Sequence, residues 1–135
     1  MAALVIGIEG SIFLQISHGL VASALFLIVT ILYDRHHTRL VKYYRGLALT
    51  MPIFSSIFLF FTLANIAVPL SSNFVGELIC LVSAFEVNST VAILGSLGMV
   101  LSASYALFLY NRVCFGSMSP YLAGSIDNRD ITRRE

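Results

Sequence analysis

The stretch that decides the fold is residues 51–85, MPIFSSIFLFFTLANIAVPLSSNFVGELICLVSAF. It is apolar almost throughout, but it is too long for one ordinary membrane span of about 20 residues. Its middle, residues 68–73, reads VPLSSN, and a proline removes a backbone donor and clashes with the preceding helical turn. The sequence therefore predicts a broken helix, with halves at about 51–67 and 73–85.

The polar residues beside the break can satisfy backbone groups that an apolar environment would leave without partners. Ser71, Ser72 and Asn73 can hydrogen-bond the backbone groups that Pro69 frees, or cap the helix that follows. Thr50 stands just before the whole stretch and is its predicted N-cap. Irregular backbone at membrane depth is tolerated only where it is buried in protein or lines a wet cavity, so the break already suggests transport.

Two more apolar stretches flank the broken helix. Residues 11–33 contain no Asp, Glu, Lys or Arg, and a third helix is predicted at about 90–113. The chain is 58% hydrophobic and 11% charged, whereas soluble domains carry about 25% charged residues. The sequence predicts an all-α integral membrane protein, with a transmembrane portion at 1–113 and a polar tail at 114–135 that is extended or loosely ordered.

Positive charge collects in two places. Four basic residues lie in the loop 34–46, and four more lie at or after the end of the last apolar stretch. They are Arg35, Arg39, Lys42 and Arg45, and then Arg112, Arg129, Arg133 and Arg134. If residues 51–85 cross once, there are three crossings and both clusters share one side; if they cross twice, the clusters lie on opposite sides. The positive-inside rule favours three crossings. No base-reading motif accompanies these charges, so no nucleic-acid partner is expected.

Glu77 is the one charged residue between Gly46 and Phe85. A carboxylate in hydrocarbon is costly, so it should face a bundle interior or water. Such carboxylates are a common means of moving protons, because burial brings their pKa toward physiological values. The plainer interpretation is a structural carboxylate paired with a neighbour; the functional one is favoured.

His18 is the second candidate, on a helical face with Ser11, Gln15 and Ala22. Imidazole titrates near neutrality and can accept a proton at one nitrogen while it donates from the other. That chemistry suits a proton relay, but a neutral histidine bonded to a neighbouring helix is an equally good interpretation.

The other chemistry-bearing residues favour ordinary roles. Glu9 and Glu86 lie at span ends and should be solvated, and His36 and His37 should face solvent or an interface. Four small residues, Gly95, Gly98, Ser102 and Ser104, suggest a face for helix packing. Cys80 and Cys114 have the character of free thiols in apolar surroundings. The sequence contains no metal spacing, nucleophile triad or cofactor-ligand set.

Several strings together resemble subunit 4 of respiratory NADH dehydrogenase, an antiporter-like subunit of complex I. ISHGL at 16–20 and YDR at 33–35 resemble one helix and its loop, and FTLAN at 61–65 with NFVGE at 73–77 resembles the broken helix. Tyr105 through Arg112 resembles the next helix. The match covers nearly the whole chain in order, and has the character of plant, algal or protist mitochondria.

The resemblance implies a larger antiporter-like fold of about fourteen helices with inverted repeats, each holding a broken helix with an ionisable residue near mid-membrane. It implies that Glu77 is the terminal proton site and His18 the preceding relay. It also implies the mitochondrial inner membrane, with the loop 34–46 and the tail facing the matrix. Flavin, iron–sulfur clusters and quinone are expected elsewhere in the complex, and no cofactor is expected on this chain.

Two departures from the family pattern matter. Leu70 and Ser71 follow Pro69 where the family usually has Gly and Thr. The first repeat and the central lysines of the family are absent, so this chain alone should catalyse nothing. The expectation is one piece of a split subunit, assembled with a separately encoded remainder, other membrane-arm subunits and lipids. Alternatives are a small stand-alone proton-coupled transporter, or a structural or assembly subunit.

Overall fold

The structure, a computed structural model, describes residues 2–123 and 129–132. Every regular element within those residues is helical, as the sequence predicts. The elements are α1 (Ala2–His36), α2 (Leu47–Thr50), α3 (Pro52–Asn65), α4 (Ser72–Val87), α5 (Ser89–Cys114) and α6 (Pro120–Ala123), with a 3₁₀ turn at Val41–Tyr43.

The chain forms two compact units. The break unit holds the chain up to Ser23 and residues 63–105, and therefore contains the helix break and α4. The loop unit holds residues 24–62 and the chain from Ala106 onward, and therefore contains the basic loop and the tail.

Two helices are long and apolar enough to cross a membrane, α5 and the part of α1 at Val5–His36. Helix α1 extends the predicted span of 11–33 at both ends. Its 35 residues make a rod of about 50 Å at 1.5 Å per residue, which exceeds a hydrocarbon core of about 30 Å. Helix α5 matches the predicted 90–113 to within one residue at each end. The prediction of a helical membrane protein is confirmed.

The long middle stretch is divided as predicted, with small shifts of its bounds. Helix α3 ends at Asn65, two residues before the predicted 67, and α4 begins at Ser72, one residue before the predicted 73. With 14 and 16 residues, α3 and α4 span about 21 and 24 Å. Each is therefore shorter than the hydrocarbon core of a bilayer.

The loop unit has a closely packed apolar centre. Its buried members come from α1, the loop, α3, the end of α5 and the tail: Ile28, Leu32, Tyr44, Leu47, Met51, Phe54, Tyr110, Val113, Cys114 and Leu122. Two buried tyrosine hydroxyls donate hydrogen bonds to backbone carbonyls within this centre. The hydroxyl of Tyr44 donates to Thr38 O at 2.7 Å, and that of Tyr110 donates to Ser55 O at 3.3 Å. The basic loop is therefore fixed to the helices rather than free.

The tail differs from the extended or loosely ordered segment predicted. It contains α6, and the Ser119 hydroxyl donates to Tyr43 O at 2.7 Å. The Tyr121 hydroxyl donates to His36 O at 3.1 Å. No local pattern predicts these contacts, because the acceptor in each one is a backbone carbonyl and not a side-chain motif. The predicted tail charges at 133 and 134 lie outside the described residues.

Asp130 caps α3 from the far end of the chain. Its carboxylate accepts from the backbone N–H of Ile53 at 2.9 Å and of Phe54 at 3.2 Å. The next donor, Ser55 N, reaches Met51 O at 3.1 Å. Since residue 52 is a proline without an N–H, every free donor of the first turn has a partner.

The predicted N-cap at Thr50 is therefore wrong. Thr50 is the last residue of the short helix α2, and its hydroxyl donates backward to Leu47 O at 3.4 Å. The cap position falls on Met51, whose thioether cannot accept from the first-turn amides as an oxygen does.

Arg35 holds the capping segment in place. Its guanidinium donates to the carbonyl oxygens of Arg129 and Asp130 and to the sulfur of Met51. Desolvation raises the pKa of the Asp130 carboxyl, but three backbone N–H donors and the charge of Arg35 outweigh this and hold the pKa below its ordinary value. The Asp130 carboxyl therefore stays ionised to a lower pH than an ordinary aspartate.

Replacing the cap tests this arrangement. Asp130→Ala removes both acceptors and should destabilise the start of α3 by about 1 kcal/mol, whereas Asp130→Asn keeps one acceptor and should cost less. Hydrogen exchange at Ile53 and Phe54 in the purified protein should accelerate most in the alanine variant. Because the pKa is lowered in the folded state, the stabilisation is fully present above about pH 3.9, the ordinary aspartate pKa, and is lost as the pH falls further. Equal exchange in all three proteins would contradict the cap.

Candidate functional site at the helix break

The break is a short run of turns with two left-handed residues. The N–H of Ala67 reaches Ala64 O at 3.2 Å, and that of Val68 reaches Leu63 O at 3.3 Å. Ala67 and Leu70 have φ values of 59° and 84°, a region that costs free energy for residues with a Cβ. The chain thus turns twice in six residues instead of continuing the helix.

Ser71 and Asn73 rebuild the hydrogen bonding around the break. Ser71 is the N-cap of α4, and its Oγ accepts from Phe74 N at 3.3 Å. The Asn73 side chain, 1% exposed, donates from Nδ2 to Ala64 O at 3.0 Å. It thereby joins the end of α3 to the first turn of α4. Ser71 thus caps α4 and Asn73 bonds the backbone, whereas the Ser72 hydroxyl bonds that of Ser17 instead. The Asn73 Oδ1 is buried without a hydrogen-bond partner among the described residues.

Helices α1 and α4 pack closely and antiparallel. A Cβ added at Gly7 would meet Ser83, one at Gly10 would meet Ile79, and one at Gly76 would meet Leu14. At the break end, the Ser17 and Ser72 hydroxyls are hydrogen-bonded to each other. In each of these contacts the two residue numbers sum to 89 or 90. Helices α1 and α4 therefore pack in one register along their shared length.

Small residues make this approach possible. Gly7, Gly10 and Ser17 lie on one face of α1, at spacings of three and seven residues. Gly76 lies opposite them on α4. Between helices in a membrane, small residues gain stability from close backbone contact, because lipid supplies no hydrophobic drive for helix association.

This packing sets where the two predicted proton residues stand. Glu77 follows the buried Gly76 and is itself partly buried, one turn beyond Asn73. His18 follows the buried Ser17 and is exposed. The two side chains therefore stand on the two helices that this packing joins, each next to a buried contact residue.

The register also gives their separation along the helices. The residue opposite Glu77 on α1 is number 12 or 13, so His18 is displaced by about 8 Å along the axis. Neither side chain hydrogen-bonds the other among the described residues. Proton exchange between them would therefore pass through water rather than through a direct contact.

The remaining candidates fall outside this site. Glu9 and Glu86 are exposed, as predicted. His37 is exposed, but His36 is buried in the loop unit, edge-on to the Tyr44 ring at 5.8 Å between centroids. Cys80 and Cys114 are free thiols. No group of three or more potential metal ligands occurs in the part of the chain that the structure describes.

The close contact between α1 and α4, the α1–α4 seam, was not predicted. Its glycines are Gly7, Gly10 and Gly76, and the first two precede residue 11, where the helix was predicted to begin. On α5, Gly95 and Gly98 are exposed; a Cβ at Gly95 would lie 3.9 Å from Leu81 Cδ2, and one at Gly98 would meet nothing within 4 Å among the described residues. The packing face predicted on α5 stays a prediction.

These observations define a class: a helical integral membrane protein with a carboxylate beside a helix break and a histidine on the neighbouring helix. The comparisons with known proteins make this specific. The model of the family described as NADH:quinone oxidoreductase/Mrp antiporter, TM, matches residues 1–114, and the chain belongs to this family.

Curated relatives agree in name. The chain is 61% identical to NADH-ubiquinone oxidoreductase chain 4 of Marchantia polymorpha, over 96% of this chain and 26% of that protein. It is 55% identical to the protein of the same name from Metridium senile, with the same coverage. The Arabidopsis thaliana relative is 62% identical over 84% of this chain and 23% of its own length. The chain spans about a quarter of these relatives.

The close contact between α1 and α4 predicts that substitution of one glycine, Gly76, lowers the stability of the protein. A Cβ at Gly76 would lie 2.8 Å from Leu14 Cβ and 3.0 Å from Leu14 Cα, so Gly76→Ala forces α1 and α4 apart at a cost of about 1–3 kcal/mol. The matched control is Gly98→Ala. The thermal melting temperature of the purified protein should fall for the first variant only. Equal melting of both variants would contradict the close packing.

Proposed function

We propose that this chain forms part of the membrane arm of a respiratory NADH:ubiquinone oxidoreductase and takes part in proton translocation coupled to quinone reduction. The observation that carries the proposal is the placement of Glu77. It is the one carboxylate within the apolar part of α4, it follows a helix break, and it lies on the helix that packs against the helix of His18. The family and the names of the relatives point to the same activity.

The proposed mechanism uses coupled protonation. Protons reach Glu77 from groups carried by the rest of the subunit, with His18 and water between. Charge movement elsewhere in the complex alters the proton affinity of Glu77, because interactions between charges are strong where the dielectric is low. Glu77 then releases its proton toward the intermembrane space.

Contacts in the loop unit support three crossings. Tail residues Ser119 and Tyr121 hydrogen-bond the carbonyls of Tyr43 and His36, so the loop after α1 and the segment after α5 share one side of the membrane. This arrangement favours an even number of crossings between them. With α5 as one crossing, α3 and α4 together supply the other, which agrees with the short length of each. We place this side in the mitochondrial matrix, as the charge distribution favours.

The chain needs partners for this role. A complete subunit requires the helices that the relatives carry outside the matched quarter, together with other membrane-arm subunits and lipids. We infer that this chain performs no redox step itself, and that flavin, iron–sulfur clusters and quinone bind to other subunits of the same inner-membrane complex.

Glu77→Gln keeps the size of the side chain and removes its ability to carry a proton. In the assembled complex it should lower the number of protons moved per NADH oxidised. Glu86→Gln is the matched control, since Glu86 is an exposed carboxylate on the same helix. Proton uptake into coupled vesicles, divided by the NADH oxidation rate, measures the effect. A normal ratio in Glu77→Gln, or loss of assembly alone, would favour a structural or assembly role.

The intact mass of the particle that contains this chain tests the assignment to the complex. Gently solubilised membranes should yield it in a large NADH-oxidising assembly that also carries the remaining helices of the subunit. Recovery of the chain alone, or as a small homo-oligomer with proton-coupled transport, would favour a stand-alone transporter instead.

A further inference from the structure

An open cavity of about 440 Å³ lies in the loop unit, at the end of α5. Two arginines line it, Arg45 from the basic loop and Arg112 from the last turn of α5. The Asn111 side chain and Ser117 add polar groups, and Phe108 and Phe115 form its apolar wall. Nothing in the site described above involves this cavity.

Buried neighbours hold both arginines in place. Arg45 stands between Tyr44, 4% exposed, and Gly46, which is buried with a φ of 73°. A Cβ at Gly46 would lie 3.1 Å from Gly116 O, so the loop meets the start of the tail here by direct backbone contact. Arg112 directly precedes the buried pair Val113 and Cys114. The two guanidinium groups are thus carried by rigid backbone.

Neither arginine is neutralised by a residue that the structure describes. Within those residues, Arg45 and Arg112 have no hydrogen bond or ion pair, and no described carboxylate lines the cavity. By contrast, the neighbouring Arg35 is bound to the tail, and Arg39 lies over the Tyr33 ring at 4.7 Å. Two like charges beside one cavity repel each other, so an anion between them would be stabilising.

The shape of the cavity favours one kind of anion. Guanidinium groups match phosphate oxygens with paired hydrogen bonds. Phe108 and Phe115 are 68% and 56% exposed, and Phe108 lies one turn from Arg112 on the apolar face of a helix that is long enough to cross the membrane. A basic pocket of this type, at the end of a transmembrane helix, suits a lipid head group with its acyl chains along the apolar wall.

We propose that Arg45 and Arg112 bind the phosphate of one anionic phospholipid, with Asn111 and Ser117 as further polar contacts and Phe108 and Phe115 against the acyl chains. The site depends on the membrane location of the chain and not on the proton chemistry of Glu77. Failure of one proposal therefore leaves the other standing.

The test counts lipids in the assembled complex. Wild type and the double variant Arg45→Gln/Arg112→Gln are washed in detergent, and bound phospholipids are quantified by mass spectrometry per complex. The double variant should lose one anionic phospholipid per complex and keep its phosphatidylcholine. Lys42→Gln is the matched control, because Lys42 is an exposed cation of the same loop that does not line the cavity.

Further arms separate the lipid from other anions. Washing wild type with tens of millimolar inorganic phosphate should leave the number of bound anionic lipids unchanged. If the double variant loses only bound inorganic phosphate and no lipid, the proposal is overturned. A density map of the complex that shows a carboxylate of another subunit between the two guanidinium groups would overturn it as well. Equal anionic lipid counts in wild type and the double variant would have the same meaning.

Discussion

A backbone carbonyl freed at the end of a helix within a membrane must find a donor inside the protein, since hydrocarbon offers none. In this chain the carbonyl of Ala64, at the end of α3, accepts from Ala67 N at 3.2 Å and from the side-chain amide of Asn73 at 3.0 Å. The first bond closes the turn after α3, and the second reaches across the break to the first turn of α4. Together they let α3 stop and α4 start within a few residues while the two helix ends remain tied together.

The contact between α1 and α4 determines where Glu77 and His18 stand. Because Ser17 meets Ser72 and Leu14 meets Gly76, the first turn of α4 is fixed against one turn of α1. Glu77 and His18 are each the next residue along from a buried seam position. Their spacing is therefore set by backbone packing and not by any bond between them, which leaves room for water and for changes of charge.

Much of this was available from the sequence. A run of 35 residues that is apolar almost throughout, with Pro69 and three polar residues near its middle, has few solutions in a bilayer, so the interruption of the helix was predictable. Glu77 stood out as a candidate because a single carboxylate in an apolar stretch is costly. The failures share one cause: long-range backbone contacts leave little trace in local sequence. Asp130 replaced Thr50 as the cap of α3, and hydroxyl-to-carbonyl bonds ordered the start of the tail. The α1–α4 seam was missed because Gly7 and Gly10 have the same three-residue spacing as Gly95 and Gly98.

The cap of α3 also bears on how the chain is made. Ile53 and its capping carboxylate are 77 residues apart in sequence. A ribosome adding about 5–20 residues per second needs several seconds to cover that distance. During that interval α3 has left the ribosome with its first-turn amides unmatched, and α5 must be synthesised before the missing partner exists. The start of the broken helix is therefore among the last parts of this chain to reach its final form, after the helices on either side of it.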